Sequence, residues 1–163
     1  MLTLLLAAGV IPEQSGVETG VFDVPDERVA VAAKLQAAAA MGTGIPFGAA
    51  RWQQPFDPAD HLPYGFSFDA VLEEGETISE VELIALSSAG AALGVIIDQE
   101  AGFAPVVDDD GGRRIQIWFA VDPAMQDTAP FDAAGAQVPV TFRILTSKQH
   151  RLERTAVLTV RQL

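Results

Sequence analysis

The chain contains no cysteine. That absence excludes a disulfide framework and any thiolate metal site, and it fits assembly in a reducing cytoplasm. Histidine is nearly absent too: only His61 and His150 occur, so no acid–base relay can be assembled from their spacing. Basic residues are scarce, with 10 Lys and Arg against 22 Asp and Glu, a net charge of −12. A chain this acidic is repelled by phosphate backbones, so nucleic acid is not an expected partner. No apolar run approaches the ~18 residues of a membrane helix, so no membrane partner is expected either. Met1–Val10 is apolar, yet no Lys or Arg precedes it and no cleavage site is evident, which argues against a signal peptide.

Familiar catalytic motifs are missing as well. Ser87 and Ser88 sit in no G-x-S-x-G frame, and neither H-E-x-x-H nor a phosphate loop occurs. The glycines of GTGIPFGAAR, residues 42–51, are spaced one residue too widely for a dinucleotide fingerprint and read as a linker. Asp108, Asp109 and Asp110 are weak candidates for a Ca²⁺ site, because hard cations want several oxygens. They lack the EF-hand spacing, and a solvated turn is the favoured reading. Glu73, Glu74 and Glu76 are adjacent turn carboxylates without the opposed placement that hydrolysis needs. His61 and His150 read as exposed turn residues. No cofactor and no enzymatic activity are expected.

What the chain does have is period-two patterning after residue 52. Tyr64, Phe66, Phe68 and Ala70 share one face of a strand over about 64–72, following a turn set by Pro55, Pro58, Asp57 and Asp60. A second strand is expected at 77–86, with Val81, Leu83 and Ala85 on one face. Residues 93–97 and 104–107 are short apolar runs. In a strand over 113–121, Ile115, Ile117, Phe119 and Val121 alternate with Arg114, Gln116, Trp118 and Ala120. A long loop spans 122–137, and the last strands fall at about 138–146 and 152–161. This succession indicates an all-β, antiparallel β-sandwich over 51–163.

Residues 1–50 read as an N-terminal extended arm. Leu2, Leu4 and Leu6 alternate with their neighbours, and the apolar start needs cover from its own domain or from another subunit. Residues 24–41 are dense in alanine, the best helix former, with Asp23 as an N-cap, Pro25 in the first turn and Gly42 at the end, and predict one helix. If the arm is an appendage, removing residues 1–50 should leave a folded β domain.

The turn and strand of residues 57–68 (DP–L–YGF–F), the following Gly75-Glu76-Thr77-Ile78, and the C-terminal Thr141-Phe142-Arg143-Ile144, Thr146-Ser147, Arg151, Arg154-Thr155 and Leu158-Thr159-Val160 carry a resemblance. Over Trp52 to Leu163 the chain resembles small immunoglobulin-like virion structural proteins of tailed bacteriophages, the fiber-tail adaptors. The resemblance implies an immunoglobulin-like sandwich, a virion location after assembly in the host cytoplasm, and a structural role among tail, fibre or capsid subunits in multiple copies. A capsid decoration protein is the alternative within that class, and a carbohydrate-binding module of a receptor-binding apparatus is the alternative outside it. Candidate interface residues are Leu4, Leu6, Val31, Leu35, Trp52 and Trp118. Trp52 is expected to anchor the arm. Trp118 would be covered by the chain's own arm or loops, by a partner, or by the core through a bulge. Residues 1–112 carry 3 basic and 18 acidic side chains and residues 113–163 carry 7 and 4. The basic C-terminal strands are therefore expected to face the acidic part of their own domain, with a neighbouring acidic surface as the other possibility.

Overall fold

Residues that alternate in size along the chain alternate in burial, and this places the strands. A computed structural model describes residues 16–37 and 44–163. Its strands are β1 (Glu18–Gly20), β2 (Val29–Val31), β3 (Ala50–Arg51), β4 (Leu62–Ser67), β5 (Ile78–Leu86), β6 (Val95–Ile97), β7 (Val106–Asp108), β8 (Arg114–Val121), β9 (Ala136–Thr146) and β10 (Arg151–Val160). A five-residue helix, α1 (Ser88–Ala92), follows β5 and is capped by the Ser87 hydroxyl, which accepts from the Gly90 N–H. Among the described residues there are two sheets. One has the order β1-β7-β8-β4-β2, with β6 also paired to β8; the other has the order β3-β10-β9-β5. The protein is therefore mostly β, with two sheets and little helix.

The sheets meet through large side chains. Tyr64 and Phe66 of β4, Phe119 of β8, Phe142 of β9 and Leu158 of β10 are all fully buried. Phe66 stacks on Phe142 across the interface at 4.4 Å between ring centres. Trp52 sits among them, edge-on to Tyr64, Phe119 and Phe142, and its indole N–H donates to the Gly65 carbonyl at 2.7 Å. It is only 3% exposed. Trp52 is thus a core residue, and the expectation that it forms an interface is corrected; its burial fastens the chain just after β3 to the sandwich. An indole buries too much apolar area to be left at a rim when a cavity of its own size is available.

Two further expectations change. The first strand ends at Ser67, because Phe68 turns the chain: the Val71 and Leu72 N–H groups both bond to the Phe68 carbonyl. In β5 the pairing with β9 slips between Ile78 and Glu80 and again between Val81 and Leu83. A bulge inverts which residues face inward. Beyond it Ile84 and Leu86 face the core, opposite Phe142 and Val140, and not Leu83 and Ala85.

The helix predicted over 24–41 is absent from its described part, residues 24–37. Asp26–Arg28 is a single 3₁₀ turn, and Val29–Val31 is β2, paired in parallel with Gly65–Ser67 of β4. Alanine's helix preference amounts to less than ~1 kcal/mol per residue, and sheet pairing with burial outweighs it. Here Ala30 and Ala32 are buried, and the Ala32 N–H extends the ladder to the Ser67 carbonyl. Residues 38–41 and the candidate interface residues Leu4 and Leu6 lie outside the described residues.

The segment 17–36 is woven into the sandwich. β1 pairs in parallel with β7. The chain then crosses the outer face of the first sheet: the Asp23 N–H donates to Gln116 Oε1 at 2.8 Å, and the Arg114 guanidinium lies 4.0 Å over the Phe22 ring. Phe22 fills the place where Gly65 lacks a side chain; a Cβ there would lie 2.5 Å from Phe22 Cζ. After β2, Arg154 donates to the Ala33 and Lys34 carbonyls, and Gln36 accepts from the Thr155 N–H on β10.

Gly65→Ala should therefore displace Phe22 and cost about 1–3 kcal/mol in chemical denaturation, the usual range for overpacking. The added cost of Gly65→Ala should largely vanish in a Phe22→Ala background. Deleting residues 1–50 removes the parallel edge strands β1 and β2, half of β3, and this cover. The expected outcome is loss of a cooperative thermal transition by circular dichroism, the reverse of the sequence-based expectation.

Candidate interaction surface

The turn between β4 and β5 is built around one guanidinium. Arg113 donates to Asp69 Oδ1 and to the carbonyls of Asp69, Leu72, Glu73 and Glu76. Five acceptors satisfy a fork that carries five N–H donors. The turn so held directs Glu76 inward. Its side chain is 1% exposed, accepts from the Glu73 N–H and the Thr146 hydroxyl, and meets His150 Nδ1 at 2.7 Å. The Glu73 N–H, then the Thr146 hydroxyl and His150, hold its carboxyl below the usual range despite the opposing effect of burial. One partner comes from its own turn and two from the end of β9 and the turn after it, so this cluster clamps the sandwich end. Glu73 pairs with Lys148, and Glu74 is exposed.

Asp108 ends β7 with its side chain 2% exposed. One carboxylate oxygen takes the Arg114 guanidinium, with Nε at 2.7 Å, and the other takes the Asp110 N–H. Asp109 and Asp110 are exposed. Among the described residues no group of three His, Asp or Glu is placed to hold a metal ion. A cleft of about 700 Å³ opens beside β1, lined by Val17, Glu18, Val21, Ala104, Pro105 and Gln116 among others. Among the described residues that line it, Glu18 is the one titratable side chain, so these offer no carboxylate pair.

The basic residues of the C-terminal strands meet acids of the same molecule. Arg143 pairs with Glu153, Lys148 with Glu73 and Arg151 with Glu82. The Glu82 side chain is held below its usual range by the Arg151 hydrogen bond.

Of the candidate interface residues on described segments, two are open to solvent: Val31 is 53% and Leu35 is 89% exposed. Phe47, 82% exposed, joins them. The Ala37 N–H donates to the Phe47 carbonyl, which brings the two sides of this segment together. Phe47 lies in the Gly- and Pro-containing stretch read as a linker, and nothing in a linear reading marks it as more than a turn residue. Its exposure follows from Gly48, whose positive φ of +80° closes a tight turn behind it. Trp118 is half-buried and is covered by His61 and Phe103 from flanking loops, with ring centres 5.0 Å away in each case.

The arrangement supplies apolar, exposed side chains on a well-braced sandwich. Comparisons with family models, curated proteins and solved structures found no match to this chain.

A carboxyl with a lowered folded-state pKa contributes stability above the unfolded value and loses it as pH falls through the folded one. Glu76→Gln should therefore destabilise the protein at pH 7, measured by denaturant midpoint. The gap to the parent protein should close as pH drops below the ordinary carboxylate range, near 4.

Proposed function

We propose that this chain is a non-enzymatic structural protein of a tailed-phage virion, an adaptor joining tail and fibres through an immunoglobulin-like sandwich. One observation carries the reading: Leu35 and Phe47 stand exposed on the segment between β2 and β3, and Val31 is exposed at the end of β2. Isolated exposed apolar residues are ordinary, but large ones gathered on one short segment mark a surface that another protein covers. The residues behind the family resemblance support a role through shape. Tyr64, Phe66 and Phe68 fill the core, Gly65 receives Phe22, and Glu76 clamps a sandwich end. These residues are engaged in packing and in bracing the fold. Each contact such a protein makes can be weak, because many copies in a ring multiply it.

The expected neighbours are other virion subunits, and assembly would take place in the host cytoplasm. The capsid-decoration reading rests on the same exposed segment and differs in the position of the copies on the particle. The carbohydrate-binding reading needs exposed aromatics, with Trp118 and Trp52 as the candidates, and Trp52 is buried.

Leu35→Asp combined with Phe47→Asp should leave stability within about 0.5 kcal/mol, as for most exposed positions. The same pair should abolish incorporation into particles, read by sedimentation and mass spectrometry of the purified particles. Normal incorporation of that variant, or absence of the parent protein from particles, would sink the proposal.

A further inference from the structure

The first sheet carries a second surface, on different elements from Leu35 and Phe47. Strand register lines it up. Leu62 is opposite Phe119 and Pro63 opposite Trp118, so His61 comes out beside Ala120 on the outer face. Ile96 pairs with Ala120, and the Asp98 N–H bonds to the Trp118 carbonyl, so Ile96 and Asp98 join that face from β6. Phe103 folds over from the loop that follows. The result is a cluster of three rings: His61 to Phe103 at 4.7 Å, His61 to Trp118 at 5.0 Å, and Phe103 to Trp118 at 5.0 Å. His61 Nε2 lies 2.9 Å from Asp98 Oδ2. Ile96, 46% exposed, extends the apolar area.

The loops nearest this cluster carry more acids than bases, although Arg161, whose N–H bonds to the Phe56 carbonyl, and Arg28, over the Tyr64 ring, border them. No Lys or Arg occurs in residues 52–112 or in residues 115–142. The loops at this end, 53–61, 98–105 and 122–135, hold Asp57, Asp60, Asp98, Glu100, Asp122, Asp127 and Asp132 against His61 alone. Elsewhere the fold meets carboxylates with its own cations, as in Arg113–Asp69, Arg114–Asp108 and Arg151–Glu82. Among the described residues, no Lys or Arg pairs with the acids of this end.

We infer that this face docks an arginine-bearing segment of a partner protein, with the guanidinium stacked on the Trp118–His61–Phe103 cluster and bonded by neighbouring carboxylates. Arginine is the cation that fits. Its group is flat, stacks on aromatic faces and presents several N–H donors to carboxylates, whereas lysine is a hydrated point charge. His61 already shows what the surface accepts: a flat ring with N–H donors, against Trp118 and hydrogen-bonded to Asp98. A neutral sugar would leave the surrounding carboxylates without a counter-charge. The inference concerns this surface alone and holds whether or not the chain belongs to a virion.

The test uses the full chain and three acetylated pentapeptides of identical spacing, carrying two arginines, two lysines or two citrullines. Binding is followed by calorimetry and by tryptophan emission. The arginine peptide should bind saturably, roughly tenfold tighter than the citrulline peptide and at least about threefold tighter than the lysine peptide. Trp118→Leu should weaken arginine-peptide binding about fivefold or more. The double variant Asp60→Asn with Glu100→Gln should do the same while leaving the His61–Asp98 contact intact, and it decides the matter if the Trp118 variant does not fold. Equal binding of arginine and lysine peptides would reduce the effect to diffuse charge and overturn the inference. So would the absence of saturable binding at millimolar peptide, or Trp118-dependent binding of neutral oligosaccharides in its place.

Discussion

One residue without a side chain holds the two faces of the first sheet in place. The Gly65 carbonyl takes the Trp52 indole N–H, and its bare Cα receives Phe22 from the opposite side. Its backbone also pairs with Val29 on one edge and Gln116 on the other. The inner core and the outer cover therefore meet at a single position in β4. Trp52 then ties that position to both sheets, through Phe119 and Tyr64 on one and Phe142 on the other. Buried aromatic pairs add roughly 0.5–1.5 kcal/mol each beyond their burial. Several converge on this one indole, which makes it the centre on which strand placement depends.

A consequence is that residues before 52 finish the sandwich. Every strand pairing within 62–163 is antiparallel, and β1, β2 and β3 each pair in parallel, with β7, β4 and β10. Exposed strand edges invite pairing with other chains. Here three short N-terminal strands occupy edges of both sheets. β5, the remaining edge of the second sheet, is broken by two register shifts and carries Glu80 and Glu82. Bulges and charge are the usual means of blunting such an edge. Contact with other molecules is thereby shifted from backbone pairing to side chains.

The division between what could and could not be read from the chain follows from the range of the forces. β4, β8, β9 and β10 were legible because alternation is local: each strand announces its buried face within eight or ten residues. The bulge in β5 left no such trace, since Val81, Leu83 and Ala85 alternate as well as Ile84 and Leu86 do. The N-terminal segment misled through propensity. Its alanines favour a helix in isolation, while the partners that make β2 lie in β4, more than thirty residues away. Glu76 read as one of three turn carboxylates because Thr146 and His150, which bury it, are about 70 positions downstream. Trp118 was placed outward by parity alone, and the rings that cover it come from residues 61 and 103, which no periodicity connects.

Charge placement decides what kind of surface is left. The chain has 10 Lys and Arg for 22 Asp and Glu. Arg113 is consumed by four backbone carbonyls as well as by Asp69, and Arg154 by the carbonyls of Ala33, Lys34 and Glu153. Arg114, Arg143, Lys148 and Arg151 each pair with an acid. Six of the ten cations are thus engaged within the fold, and carboxylates remain in excess outside. Exposed ion pairs add little stability, about 0–1 kcal/mol each, so this arrangement does more for recognition than for folding. An acidic exterior broken by a few apolar and aromatic patches repels polyanions at long range. The arginine-bearing partner inferred above would bring both apolar surface and positive charge, and specificity would come from requiring the two together.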